Sequence, residues 1–440
     1  ENNTMVNVLI LATIAISVAA GYKSKINTGL FAAVFAYLIG CFVMNMSSKA
    51  VIAKWPMSTV FVVMSVSLFY NFALANGTLE KLARYLLYAF RKMPRMLPLA
   101  LFLCSVCISA IGAGFYTVVA FMAPISLLVC KEAKIDKTLG AMAVVTGASS
   151  GATLVISGSG IVFRSLMEEN GVASELAFNY TMIMFAISVS CFLFCTLFYC
   201  YVLRRNWTVD QSVSFTKPEA FDETQGKTLC LMLVMVVLVL IFPILHLLLP
   251  NAAIITFING KIDISLIAIL FSVVALIMKL APQKQVIAMI PWNTLIMIGG
   301  VGMLIGVAVE AGTIDMLSSW IGANIPVWLL PAVISLVAGI MSFFSSALGV
   351  VAPTLFPIVP ALAASSGLSP LILFSCVAIG AQSSSISPFS SGGSLVLGSC
   401  STEDERTEMF PQTLLLCTPT AILFAVAYNF IVSLILPVFL

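Results

Sequence analysis

Two stretches of this chain put hydroxyl groups where apolar side chains belong. Gly147–Val162 reads GASSGATLVISGSGIV, and Gly380–Leu395 reads GAQSSSISPFSSGGSL. Both lie within long apolar runs, where such polarity is tolerated only against protein or a wet cavity. Two further small-residue clusters, Ile111–Thr117 (IGAGFYT) and Phe344–Gly349 (FSSALG), interrupt other apolar segments. Free N–H groups at a helix break carry partial positive charge and bind carboxylates. Carbonyl and hydroxyl oxygens freed at the same breaks suit Na⁺. The chemistry expected of the four clusters together is the joint binding of a small anion and a cation. The anion candidates are Gly114, Tyr116, Thr117, Ser149, Ser150, Thr153, Ser345, Ser346, Gln382, Ser383, Ser384, Ser387 and Pro388. The cation candidates are Gly112, Ser157, Gly349, Ser385, Ser390 and Ser391. A single such cluster would read as close helix packing, but here four clusters form two related pairs.

Composition sets the solvent in which this chemistry operates. Of the 440 residues, 61% are hydrophobic and 9% charged, and the mean hydropathy is +1.11. Soluble domains carry about 25% charged residues, so the sequence predicts an all-α polytopic membrane protein. A net charge of +3, dispersed along the chain, gives no footing for nucleic acid. The eleven cysteines are scattered singly without metal-ligand spacing, and they read as small packing residues. One histidine, His246, lies in a Leu-rich helix and reads as a packing or interface residue. No basic stretch with a cleavage site opens the chain, so the first helix is expected to be retained.

Apolar runs near the spanning length of about 20 residues fall at 5–21, 27–46, 57–76, 176–203, 228–249, 262–281, 292–311 and 411–437. Two more, 138–169 and 370–400, contain the polar breaks, which makes ten crossings. Residues 96–130 and 327–364 are too long for one crossing and have small-residue middles, so both read as re-entrant hairpins. Leu79–Arg95 and Ile314–Ala323 read as interfacial segments, the first carrying Lys81, Arg84, Arg91, Lys92 and Arg95. Residues 204–227 form a polar cytoplasmic linker between halves 1–203 and 228–440.

Those halves repeat. Val51-Ile52-Ala53 with Pro56 and Thr59 recurs as Val286-Ile287-Ala288 with Pro291 and Thr294, an offset of 235 (286 − 51). Gly77-Thr78 recurs as Gly312-Thr313 at the same offset. Pro124-Ile125 recurs as Pro357-Ile358, and Gly147-Ala148 as Gly380-Ala381, both offset by 233 (380 − 147). Five crossings per half, an odd number, predicts oppositely inserted repeats with broken helices at the midplane, as in secondary transporters. With both termini outside, Arg84–Arg95, Lys131–Lys137, Arg204-Arg205 and Lys284 fall inside, while Glu168, Glu169, Glu175 and Asp315 fall outside. That follows the positive-inside bias, Lys49 and Lys54 excepted. The clusters hold no titratable acid, base or histidine. Proton-driven carriers place such groups in their path, so the expected coupling ion is Na⁺. Arg164, just past the first break, reads as snorkelling to the surface rather than holding the anion.

Trp292-Asn293-Thr294, the Glu310-Ala311-Gly312-Thr313 turn, the Ser345-Ser346 tip and Ser387–Gly393 (SPFSSGG) resemble MatC-type dicarboxylate carriers. Those carriers group with the divalent anion/sodium symporters of the ion transporter superfamily. The resemblance runs through nearly the whole chain. It implies a homodimeric elevator carrier of a bacterial inner membrane. A scaffold domain would stay fixed, and a transport domain holding both hairpins and both broken helices would move. The implied substrate is a small dicarboxylate of the malonate, succinate, fumarate and malate class, imported with Na⁺, with no cofactor. Better-known symporters of this group carry Ser-Asn-Thr at both tips; here the tips read Gly112-Ala113-Gly114 and Ser345-Ser346-Ala347. The clusters therefore transfer as units rather than ligand by ligand.

A carrier of the same fold with another task remains open, either a proton-coupled or exchange-type organic anion carrier, for example for citrate. A cation/proton antiporter would want a mid-membrane Asp, and a lipid-modifying enzyme would want a His/Asp/Glu or metal cluster. A passive channel would not need paired breaks.

Overall fold

The structure, a computed structural model, describes residues 2–24, 26–89, 94–204, 217–249, 252–343, 346–400 and 402–435. Ser345, Arg91, Lys92 and much of the expected 204–227 linker lie outside the described residues. No strand occurs among the described residues.

The first half runs α1 (Asn2–Ser24), α2 (Thr28–Tyr37), α3 (Ser48–Ile52), α4 (Met57–Ala75), α5 (Thr78–Ala89), α6 (Leu97–Ile108), α7 (Phe115–Glu132), α8 (Lys137–Gly151), α9 (Gly158–Glu169) and α10 (Ser174–Leu197). The second runs α11 (Glu223–Leu248), α12 (Ala253–Asn259), α13 (Ile264–Ile277), α14 (Gln283–Ala288), α15 (Trp292–Glu310), α16 (Thr313–Asn324), α17 (Leu330–Phe343), α18 (Ala352–Leu355), α19 (Val359–Ser366), α20 (Pro370–Ser383), α21 (Ser391–Gly398), α22 (Glu403–Gln412) and α23 (Thr418–Ile435). Helix starts follow local chemistry. Asp136 caps α8 by accepting from the Thr138 N–H, α20 opens on Pro370, and Asp222 with Gln225 forms a capping box on α11.

The repeat in the sequence is matched by a repeat of elements. α4 and α15 are each 19 residues long and start 235 apart (292 − 57). α5 and α16 are each 12 residues long at the same offset (313 − 78). α8 and α20, like α9 and α21, start 233 apart (370 − 137 and 391 − 158).

Among the described residues, five helices are long and apolar enough to cross a membrane alone: Ser174–Leu203, Glu223–Phe242, Trp292–Glu310, Ala347–Ser366 and Asp404–Ile435. Two further pairs, α12 with α13 and α16 with Val327–Phe343, pass only when taken together, with bends of 76° and 112°. The remaining apolar helices are shorter, several because the chain breaks within them. Large apolar side chains stand exposed along α11 (Val234, Val237, Ile241) and α13 (Leu266, Leu270, Val273, Ile277). Such faces suit lipid, and the chain is an integral membrane protein.

Packing is organised around the breaks. α6 and α7 both lie along α8, and α17 lies along α20 and α23. Most buried side chains of α8 belong to a core built with α6, α7 and α10, whereas Val162, Phe163, Leu166 and Met167 of α9 join the core of α17, α19 and α20. The second break does the reverse. Leu371–Ala378 of α20 sit in that second core, and Val396 and Leu397 of α21 join the first. Each broken helix therefore begins mainly in one core and ends mainly in the other, both cores drawing side chains from both halves. Away from the breaks, α2 and α15 meet backbone to backbone, so that a Cβ on Gly300 would collide with the Gly29 carbonyl.

Candidate functional site

The breaks bring the hydroxyl clusters together. After Gly151 the first break runs through 152–157, and Ser157, in extended conformation, caps α9 through no side-chain bond. Its hydroxyl instead donates to the Ser109 carbonyl at 2.6 Å, and the Ser109 hydroxyl donates to the Ala148 carbonyl at 2.8 Å. The tip of the first hairpin is thus strapped to the first break. In the second half Ser384 donates to the Gly339 carbonyl at 2.5 Å and Ser387 to the Phe343 carbonyl at 3.1 Å. These serines satisfy carbonyls that the broken helices would otherwise bury unpaired.

Gln382 joins the two breaks. Its amide nitrogen donates to the Ser149 carbonyl at 3.0 Å and to the Thr153 hydroxyl at 2.9 Å, and its oxygen accepts from Ser188 of α10 at 3.2 Å. Gln382 is 4% exposed, and its bonding capacity is spent on protein groups.

A small cavity lies where all four clusters meet. Tyr116, Ser149, Ser346, Gln382, Ser385 and Ser390 line it, with Ser159, Ser342 and Gly392. Its free space is about 30 Å³, room for one or two water-sized atoms. Ser149 is 2% exposed and its hydroxyl has no partner, an uncommon condition for a buried polar group. Across the cavity mouth the Tyr116 and Ser346 hydroxyls share a hydrogen bond at 3.3 Å, joining the two hairpin tips.

Two larger cavities adjoin it. One, of about 330 Å³, lies between the first hairpin tip and α4, lined by Gly112, Gly114, Tyr116, Thr117 and Ser159 together with Ser67, Tyr70 and Asn71. The first turns of α7 and α9 both border it, and neither has a side-chain cap. The Tyr70 ring lies over Gly112, whose φ of +110° and lack of a Cβ let the tip settle there. The other cavity, of about 500 Å³, is lined by Tyr116, Ser346, Asn293, Thr294, Ser394 and Ser399. No Asp, Glu, Lys, Arg or His lines any of the three among the described residues.

Other expected site residues stand beside these spaces rather than on them. Ser150 and Ser383 bond carbonyls one turn back in their own helices, Gly147 and Gly380. Thr153 is engaged by Gln382. Gly349 donates its N–H to Ser346 and packs on Met297. The Pro388 carbonyl accepts from Ser394, and Ser391 opens α21. Ser345 lies outside the described residues. Arg164 pairs with Glu168 at 2.9 Å, bonds Ser174 at 2.8 Å and lies 5.7 Å from the Phe178 ring centre, turned away from the cavities. His246 meets Glu175 at 3.0 Å. Sequence reasoning missed Ser67, Tyr70, Asn71, Ser159, Ser342 and Asn293. The signal for Ser159 was present, since it lies in the quoted Ser-Gly-Ser-Gly run.

Residues 3–152 match the family model described as the dicarboxylate carrier protein MatC N-terminus. The resemblance to MatC-type carriers stands. The MatC match ends at Ala152, the first residue of the first break, and so takes in the first hairpin and all of α8. No curated protein matches the chain by sequence. In three dimensions the chain is similar to the Alcanivorax borkumensis YdaH transporter, at 14% identity and a TM-score of 0.59, over 92% of this chain and 88% of that one. Neisseria gonorrhoeae MtrF aligns at 14% identity and a TM-score of 0.49, over 90% of this chain and 83% of its own. The YdaH likeness is one of fold. The MatC match over residues 3–152 is what points to a transporter rather than an enzyme.

Proposed function

We propose that this protein imports a small dicarboxylate of the malonate, succinate, fumarate and malate class together with Na⁺, by an elevator mechanism in a bacterial inner membrane. The observation that carries this is the meeting of both breaks and both hairpin tips around hydroxyl-lined space with no charged side chain in its walls. Two uncapped helix N-termini beside the 330 Å³ cavity supply partial positive charge for a carboxylate. The adjoining small cavity, rich in hydroxyl oxygens, suits a bare cation. Substrate and Na⁺ neutralise one another there, whereas a lone dianion would face a large desolvation cost.

The contact between Ser149 and Gln382 supports inverted repeats, because the two are sequence counterparts separated by 233 residues (382 − 149). A pseudo-two-fold axis in the membrane plane brings such counterparts together. In this reading residues 1–203 and 228–440 are the repeats, and both termini lie outside. Both hairpins with α8, α9, α20 and α21 form the moving domain, α4 and α15 belong to a scaffold, and the carrier works as a homodimer.

Uptake of labelled dicarboxylates into proteoliposomes tests it. An inward Na⁺ gradient should raise the rate at least tenfold over a choline gradient of equal ionic strength. Uptake that ignores Na⁺ and follows a proton gradient, or that selects citrate over the four-carbon acids, would replace this reading with the proton-coupled or exchange alternative.

A further inference from the structure

Tyr116 occupies a place no other described residue shares: it lines all three cavities. The small cavity and the 330 Å³ cavity have Phe115, Tyr116, Ser159 and Leu348 as common wall. The small cavity and the 500 Å³ cavity share Tyr116 and Ser346. Among the described residues, the two hairpin tips are joined there by the hydrogen bond between the Tyr116 and Ser346 hydroxyls, at 3.3 Å.

Volumes make that bond consequential. The small cavity offers about 30 Å³ against about 330 and 500 Å³ for its neighbours. A four-carbon dicarboxylate, with eight heavy atoms, cannot enter so little space, but a bare cation can. The side chain at the junction therefore decides what passes from the large spaces to the hydroxyls of Ser149, Ser385 and Ser390. A phenol is suited to this task. It swings as a rigid plate about two torsions, and one long hydroxyl–hydroxyl bond, worth about 0.5–1.5 kcal/mol net in general, holds it without locking it. Tyr116 is the second residue of α7, two after Gly114, a positive-φ residue with open space where a Cβ would stand, so the tip can turn there.

We propose that Tyr116, latched by Ser346, is a size-selecting gate between the large cavities and the hydroxyl-lined chamber. Latched, it leaves the small space open to a bare cation only; swung aside, it joins that space to the larger cavities, and organic solutes reach Ser149. The proposal rests on the transport reading for the nature of the solute, but the gate itself is testable without transport.

The experiment uses full-length protein in proteoliposomes with the two exposed thiols removed (Cys107→Ser, Cys230→Ser) and Ser149→Cys as a reporter at the back of the chamber. Labelling by a bulky cationic methanethiosulfonate is timed in three backgrounds. With Tyr116 the reporter should react slowly. Y116F, which keeps the ring and folds alike, should react several-fold faster, and Y116A at least tenfold faster. In the thermal-shift companion, Y116A should gain stabilisation by six-carbon relative to three-carbon dicarboxylates. Equal labelling rates in all three, or a fast rate with Tyr116 present, overturns the gate. If no dicarboxylate is transported yet the labelling series appears, the gate stands and the transport reading falls. If uptake is confirmed and the series is flat, the reverse holds.

Discussion

The Gln382 side-chain amide of the second broken helix donates to the Ser149 carbonyl of the first at 3.0 Å. Each is the other's counterpart in the repeat, so the two halves are tied at equivalent points. The same amide holds Thr153 and Ser188. Replacing Gln382 by Ala leaves the buried Ser188 hydroxyl without its partner, and leaves the Thr153 hydroxyl and the Ser149 carbonyl only each other. An orphaned buried group costs about 1–3 kcal/mol. The expected result is a melting temperature lowered by several degrees in detergent and loss of uptake. A variant that melts like wild type would remove Gln382 from this role.

Thr59 of α4 bonds Ser165 and Glu169 of α9, each at 2.8 Å. If α9 travels past α4, these bonds break in every cycle. Thr59→Val keeps the shape and removes them. It should cost about 1–3 kcal/mol, since one acceptor is charged, and should raise maximal uptake rate. Reduced stability without a faster rate would mean that α4 and α9 move together.

The three cavities have no acid, base or histidine in their described walls. Between pH 6 and 8, at fixed Na⁺, the uptake rate should therefore follow the fraction of doubly ionised substrate and nothing else. Rates measured with two dicarboxylates of different second ionisation should superimpose once plotted against dianion concentration. A residual step common to both would reveal a titrating group on the protein.

Gly112 holds φ +110° beneath the Tyr70 ring. Gly112→Ala forces a methyl into the phenol and a side chain into a conformation that costs about 1–3 kcal/mol. Uptake should fall at least tenfold, with a lower melting temperature. Adding Tyr70→Ala relieves the collision and should restore part of the stability. Failure of the second change to restore any would place the cost in the backbone alone.

Much of this arrangement was legible from residue order. Ser149, Ser157, Ser384 and Ser387 advertised the breaks because hydroxyls and glycines interrupted apolar runs, and Gly112 and Gly114 marked a tip for the same reason. The matching starts of α4 and α15 were legible because Pro56 and Pro291 stand just before them. Roles were harder to read. Gln382 read as a ligand, yet its partners come from α8, the first break and α10, a bonding set that only the folded chain assembles. Ser150 and Ser383 look like ligands in a string of hydroxyls, yet they bond their own helices. Tyr70 and Asn71 were invisible, since an aromatic residue in an apolar helix reads as core and only the closeness of Gly112 gives it meaning. The crossing of α9 and α21 into opposite cores leaves no local trace, because both cores are built of the same Leu, Ile, Val and Phe.

The seam between Gly29 and Gly300 carries a consequence for variation. A saturation library selected for growth on the transported acid should find almost no tolerated replacement at either position, because even a methyl group prises α2 from α15. Val237 or Leu270, facing outward, should accept most greasy side chains in the same selection. The map of permitted change would thus trace the seam between α2 and α15 from sequence alone.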